Sequence, residues 1–427
     1  MPLTEKGYLP RVIDDELRRA LSTFGAVCVQ GPRWCGKTWT SLNQAESVTF
    51  IGDPAGSFQN RRLAELDPTL VLFGEPPHLV DEWQEVPGIW DAVRLDVDCS
   101  RLRGRFILTG SSTPKRRGVM HSGVGRICTL DMRPMSLFES GDSSGDVSLG
   151  EVFDAPPRSI PLRQPTIAEL AQLIVRGGWP ESLGRSEEEA RMLARSYLKL
   201  TVEDDASRID GVRRDPQKLM ALLRSLARNE STLAKNSTLR KDMLKFDDET
   251  IAPDTVADYL LVLRRLFVVW EQPAYSPHLR SSIRVGKSPK RHLADPSLDA
   301  AALGVDSRGL IADLNTFGFL FEGMCERDLA IYAQSLDAKL YHYRDASNRE
   351  IDAVVELRDG RWGAFEIKVG ANQIDEAAKG LLRMKRLMEE DSTAQPPSIL
   401  VVICGMSAAA YTRPDGVIVV PPTALRP

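Results

Sequence analysis

The sequence has no apolar run long enough to cross a membrane, which takes about 18–20 uncharged residues. Its most apolar stretches are LLVLRRLFVVW, broken by Arg264 and Arg265, and SILVVICGM near the C-terminus. The opening MPLTEKGYLPRVIDDELRRAL also lacks the apolar core of a signal peptide. Cysteine is sparse, six residues at 28, 35, 99, 128, 325 and 404 with no CxxC spacing. That excludes a dense disulfide framework and suits a reducing compartment, so a cytoplasmic protein without membrane contact is expected. No repeat of 20–50 residues is present, which argues against a solenoid. An excess of one charge is missing too. The net charge of −4 excludes a globally basic nucleic-acid coat and leaves only a local patch for such a partner.

What is present is an ordinary globular composition spread over 427 residues, with 42% hydrophobic and 27% charged. That length is about three times what one hydrophobic core usually supports, so two or three domains are expected. The first part alternates short apolar runs with helical stretches. Strands are expected at AVCVQ (26–30), SVTFI (47–51), LVLF (70–73), PHLV (77–80) and RFILTG (105–110). Such alternation predicts a parallel sheet covered on both faces. The stretch from Glu139 to Thr166 is rich in Gly, Ser, Asp and Pro and reads as a boundary.

The middle reads as helical. Ser186 and Glu189 form a capping box, and Asp215-Pro216 an N-cap followed by Pro at the first helical position. Two further helices, near 236–244 and at 253–267, run into an apolar strand. Three helices and a strand is the order of a winged helix, though many helical domains share it. The last part holds a helix at 318–334, strands at KLYHYRD, EIDAVVEL and WGAFEIKV, a helix at 374–390 and a strand at 398–404.

The strongest chemical signal is GPRWCGKT, residues 31–38, which fits GxxxxGK[ST] after a strand and before a helix. Chance would produce that pattern in roughly 1–2% of chains this long. Gly31 and Gly36 allow a tight turn that aims backbone N–H groups at phosphate oxygens. Pro32, Arg33, Trp34 and Cys35 fill the loop between them and are expected to line the nucleotide, and the following helix N-terminus adds its dipole. Lys37 supplies a charge for the β- and γ-phosphates of ATP, and Thr38 a hydroxyl for Mg²⁺. In PHLVDEWQ, Asp81 is expected to hold the metal and Glu82 to polarise the attacking water. Thr109 and Ser111, at the end of RFILTGSS, could reach the γ-phosphate or that water, or simply form a turn. Arg126 is a candidate charge donor to the phosphates, from its own chain or a neighbouring subunit.

GPRWCGKT, LVDEWQEVPGIWDAVR, FILTGSS and GRICTLDMRPMSLFE, followed by GGWPE, GFLFEGMCERDLA and YHYRD…EIDAVVEL…GAFEIKVG, resemble the bacterial and archaeal AAA+-like P-loop ATPases. In those, a C-terminal domain of uncharacterised function follows the ATPase module. The resemblance implies an α/β AAA+-type parallel sheet over 1–140, a linker over 141–165, a helical and winged-helix section over 166–299, and a restriction-endonuclease-like α/β core over 300–427. It implies that Gly31, Gly36, Lys37 and Thr38 bind nucleotide while Asp81 and Glu82 act on metal and water. It also makes a homo-oligomer plausible, because such modules often complete their sites between subunits.

In the C-terminal part, strand alternation sends Glu366 and Lys368 to one face, with Asp352 on the strand before and Glu322 on the preceding helix. Two acids and a lysine converging with Glu322 is a metal-dependent nuclease arrangement. A Glu-x-Lys triplet is also expected about once by chance in a chain this size. The run from Arg280 to Arg291 carries Arg280, Arg284, Lys287, Lys290 and Arg291 without an acid, a candidate DNA contact or a plain solvated loop. Three functions therefore stand side by side: an ATPase whose nucleotide state controls a C-terminal DNA- or partner-binding region, an ATP-gated nuclease, and a nucleotide-dependent switch without turnover.

Overall fold

A computed structural model describes residues 7–113, 122–244, 251–278, 288–345 and 347–427. Arg280, Arg284 and Lys287 of the basic run lie outside the described residues. The chain divides into two compact units. The first comprises residues up to Pro134 together with Glu203–Arg214 and Leu261–Val268, and the second holds the remainder.

The first unit opens with α1 (Ile13–Thr23) and β1 (Ala26–Gln30), followed by α2 (Lys37–Leu42), β2 (Ser47–Phe50), α3 (Ala55–Leu66), β3 (His78–Asp81), α4 (Gly88–Ser100), β4 (Phe106–Gly110) and β5 (Ile127–Asp131). The strands form one sheet in the order β2-β3-β4-β1-β5, with every pairing parallel. β1 is buried from Ala26 to Val29 and β4 throughout, as strands covered on both faces are. Ile89, Val93 and Val97 of α4 pack with Ala26, Val80, Phe106 and Leu108 in one core. The strand expected at 70–73 is instead the 3₁₀ turn Pro68–Val71. Asp67 caps it by accepting from the Thr69 N–H, and Pro68 supplies the preset φ of a first helical position.

In the second unit, β6 (Val147–Ser148) and β7 (Ile160–Pro161) precede α5 (Ile167–Arg176), α6 (Glu187–Leu200), α7 (Pro216–Arg228), α8 (Asn236–Leu244) and α9 (Pro253–Arg265), whose last turn counts with the first unit. Ser186 and Glu189 do form a capping box on α6, and Asp215 caps α7 ahead of Pro216. β8 (Val269–Gln272) pairs antiparallel with β9 (Lys290–Leu293). Then come α10 (Pro296–Leu303), α11 (Ser307–Ala312), α12 (Leu314–Ser335), β10 (Lys339–Arg344), β11 (Glu350–Glu356), β12 (Trp362–Lys368), α13 (Ile374–Glu390), β13 (Ile399–Cys404), β14 (Ala409–Thr412), β15 (Ile418–Val420) and β16 (Leu425–Arg426). The main sheet runs β10-β11-β12-β13-β15-β14-β7. β10, β11 and β12 are an antiparallel meander, and α13 is the crossover that makes β13 parallel to β12. Ile374, Ala378, Leu381 and Met388 of α13 bury against Trp362, Leu400 and Val402. Among the described residues, no helix is long and apolar enough to cross a membrane.

Candidate nucleotide site and C-terminal charge cluster

β1 delivers the 31–38 loop at the carboxyl edge of the first sheet. Gly31 has φ +158, and a Cβ there would stand 2.1 Å from the Met132 carbonyl oxygen, so backbone packing demands glycine. Trp34 (φ 64) and Gly36 (φ 102) both take left-handed conformations, which curls the loop back on itself. Lys37 is buried and its Nζ donates to the Gly31 and Pro32 carbonyls at 3.0 and 2.8 Å. The ammonium thus closes the loop into a ring. Arg11, which sequence reading did not single out, holds the loop from behind, donating to the Cys35 and Arg133 carbonyls at 2.6 and 2.8 Å.

The two acids meet the loop through hydroxyls. Thr38 Oγ1, on the first turn of α2, donates to Asp81 Oδ1 at 2.8 Å. Thr109 Oγ1, fully buried on β4, donates to the same oxygen at 2.7 Å and accepts from the Glu82 N–H at 3.0 Å. Because β4 lies between β3 and β1, its end is the bridge between acids and loop. Burial pushes the Asp81 carboxyl above its ordinary range, against the lowering effect of the Thr109 and Thr38 hydrogen bonds. Glu82 stands at φ 59, and Ser111 Oγ donates to its Oε2 at 2.9 Å. Gln84 Nε2 donates to both Ser111 Oγ, at 3.2 Å, and the Glu82 carboxylate. Thr109 and Ser111 therefore spend their hydroxyls on orienting the two acids. A hydroxyl and a carboxylate oxygen side by side are hard ligands of the kind Mg²⁺ takes, with phosphate and water completing its shell.

Two arginines are held in ion pairs. Arg126 immediately precedes β5, whose first residue, Ile127, pairs with Ala26 at the start of β1. It therefore lies at the amino edge of the sheet, opposite the loop, and pairs with Asp98 at 2.7 Å. Within its own chain it does not approach the loop. Arg33 in the loop itself is bound, pairing with Asp205 at 2.6 Å.

In the second unit Glu322, Asp352, Glu366 and Lys368 do assemble, together with residues that sequence reading assigned elsewhere or not at all. Lys368 Nζ lies 3.0 Å from Asp352 Oδ2 and 2.7 Å from Glu366 Oε2. Lys290, read from sequence as part of a DNA-facing run, is buried instead and sits 2.7 Å from both Glu322 and Glu326, while also donating to the Asp352 carbonyl at 3.0 Å. Burial pulls the Lys290 pKa down, but the three acids raise it further, so it stays charged. Arg291 pairs with Glu271 at 3.3 Å. Neither charge is free for a DNA backbone. Burial, then Asp352, push Glu366 up to about 7 against the pull of Lys368. A cavity of about 640 Å³ borders the cluster at Glu322 and Lys368. Among the described residues, no three His, Cys, Asp or Glu side chains are arranged to hold a metal ion.

Comparison with known proteins matches an AAA domain to residues 23–140. Two domains of unknown function, DUF8612 and DUF4143, match residues 167–309 and 317–425. The uncharacterized protein Rv2008c of Mycobacterium tuberculosis is 28% identical over 358 residues, 82% of this chain and 72% of its own; the uncharacterized protein Mb2031c of Mycobacterium bovis matches equally. Among solved structures, the Walker-type ATPase PABY2304 of Pyrococcus abyssi aligns at a TM-score of 0.43 and 13% identity, covering 70% of this chain and 97% of that one. Residues 23–140, which contain the loop, both acids and all five parallel strands, are thus the part of the chain that is similar to an AAA domain.

Proposed function

We propose that the chain binds ATP with Mg²⁺ at the 31–38 loop, hydrolyses it, and uses the nucleotide state to control its C-terminal part. The observation that supports this reading is the Thr38–Asp81–Thr109 hydrogen-bond chain, which puts a hydroxyl and a carboxylate side by side next to a lysine-closed loop. Lys37 neutralises the β- and γ-phosphates, and Asp81 with Thr38 would hold the metal. Glu82, steered by Ser111 and Gln84, takes the proton of the attacking water. Bound Mg²⁺ would neutralise charge developing on the phosphate oxygens. Lys37→Ala should abolish ATP binding in calorimetry, while Glu82→Gln should bind ATP and lose turnover. Tight ATP binding by Lys37→Ala would remove the assignment. Turnover below about 0.01 per second in the wild type would favour a binding switch over an enzyme.

A second reading, an ATP-gated nuclease with a restriction-endonuclease-like C-terminal core, draws on the convergence of Glu322, Asp352, Glu366 and Lys368. Against it stands Lys290, which already supplies the positive charge between Glu322 and Glu326. Cleavage of DNA with Mn²⁺ by wild type but not by Asp352→Ala or Lys368→Ala would establish it. Equal cleavage by all three would mark a contaminant.

A further inference from the structure

Asp205 is a buried carboxylate that the proposed reaction does not use. Its side chain is 7% exposed, whereas its partner Arg33 is 42% exposed at the mouth of the phosphate loop. Asp205 closes the π-helical turn Thr201–Asp205 that follows α6; such widened turns are frequent at functional sites. The piece Glu203–Arg214 packs with the first unit although the chain on either side of it, in α6 and α7, belongs to the second. Its carboxylate also lies within the field of Glu82. An acid is thus pressed against a loop built to receive anions, and it holds the one arginine of that loop.

We propose that Asp205 is an internal stand-in for a nucleotide phosphate: it holds Arg33 in the nucleotide-free chain and yields it to the phosphate tail of an entering nucleotide. This rests on the reading of 31–38 as a nucleotide loop. Once Arg33 turns to phosphate, Asp205 is left unpaired between Glu82 and new negative charge, a buried anion without a partner. The segment 203–214 is then driven out of its seat. Because that segment is continuous with α6 and α7, nucleotide entry is communicated to the second unit by exchange of one ion pair.

The test is a titration with a fluorescent ATP analogue on the full chain. Asp205→Asn keeps the shape and removes the charge, and should tighten binding about tenfold, equivalent to about 1.4 kcal/mol. Adding Arg33→Gln to Asp205→Asn should cancel most of that gain. Wild-type or weaker affinity in Asp205→Asn, with Lys37→Ala unable to bind, overturns the exchange. Binding by Lys37→Ala at wild-type strength would instead overturn the nucleotide reading itself. Limited trypsinolysis of the wild type gives a readout independent of any variant's folding, since Arg208 and Arg213 are exposed sites within the segment. ATP should accelerate cleavage there. Unchanged or slower cleavage would refute the release of the segment.

Discussion

Thr109→Val isolates the bridge between the two acids and the loop. The side chain is fully buried, and its hydroxyl both donates to Asp81 at 2.7 Å and accepts from the Glu82 N–H at 3.0 Å. Valine keeps the shape, so the penalty comes from hydrogen bonding rather than from a cavity. Losing a bond to an ionised carboxylate costs about 1.5–3 kcal/mol, and a stranded, partly buried N–H about 1 more. A gain from the extra methyl offsets part of this, leaving about 2–3 kcal/mol. At about 2–4 °C per kcal/mol for a unit of this size, melting of the first unit should fall by about 5–10 °C.

The same substitution acts on chemistry. The Thr109 bond favours ionised Asp81, so its removal pushes an already raised carboxyl still higher. Mg²⁺ binding needs the ionised form, so its loss on acidification should begin at a higher pH in the variant. Glu82 loses the anchor of its backbone, and turnover should fall about 10–100-fold, equivalent to about 1.4–2.7 kcal/mol of barrier. The assays are thermal unfolding by far-ultraviolet circular dichroism and a coupled phosphate-release assay across pH. Thr109→Ser, which retains the hydroxyl, should recover most of both losses. A Thr109→Val protein with wild-type melting and wild-type turnover would refute the bridge.

Three further outcomes follow from the geometry. Glu366, pushed up to about 7, holds a proton that the unfolded chain has already released above about 4.3. Stability should therefore fall as pH rises from about 5 to 8, by about 1–3 kcal/mol, and Glu366→Gln should flatten that slope in urea titrations. Lys290→Met strands Glu322 and Glu326, which should cost about 3–5 kcal/mol in the same assay; adding Glu322→Gln and Glu326→Gln should restore much of it. Arg126→Ala removes an exposed pair with Asp98 and should leave turnover of the monomer within about twofold. A tenfold loss that appears only as protein concentration rises would mean that Arg126 acts on a neighbouring copy.

The phosphate loop was legible because its chemistry is written in a short, fixed spacing, and the flanking strand and helix follow from it. The helix caps were legible for the same reason, as Ser186 with Glu189 and Asp215 with Pro216 act over three residues or fewer. Four apolar residues at 70–73 were misleading because so short a run fits a strand or a turn equally, and Asp67-Pro68 decides it. Lys290 was misread because counting charge ignores direction. On β9 the side chains alternate, so Lys290 and His292 are buried while Arg291 between them is only partly so. Asp205 carried no local signal at all, since its partner Arg33 lies in another element far earlier in the chain.

The later motifs of the sequence acquire a meaning that chemistry-first reading did not supply. In GFLFEGMCERDLA, the run Glu326-Arg327-Asp328 is buried on α12, where a helix normally places apolar residues. Arg327 is satisfied by Asp295 at 2.6 Å and Asp328 at 2.7 Å. Asp295 in turn accepts from the Gly178 N–H at 2.9 Å and caps α10 through the Ser297 N–H at 3.0 Å, while Asp328 accepts from the Leu137 N–H at 3.0 Å. Trp179 Nε1 donates to Ser297 Oγ at 2.9 Å. The glycines before that tryptophan have no room for a side chain. A Cβ on Gly177 would stand 2.3 Å from Asp295 Oδ1, and one on Gly178 would stand 2.0 Å from the Met135 carbonyl oxygen. Gly177-Gly178-Trp179, Asp295-Pro296-Ser297 and Arg327-Asp328 are therefore one buried network closed around a single guanidinium. Asp295 and Asp328 are each tied to a backbone N–H as well as to Arg327, so truncating Arg327 would leave two buried carboxylates uncompensated and loosen three separate parts of the second unit at once.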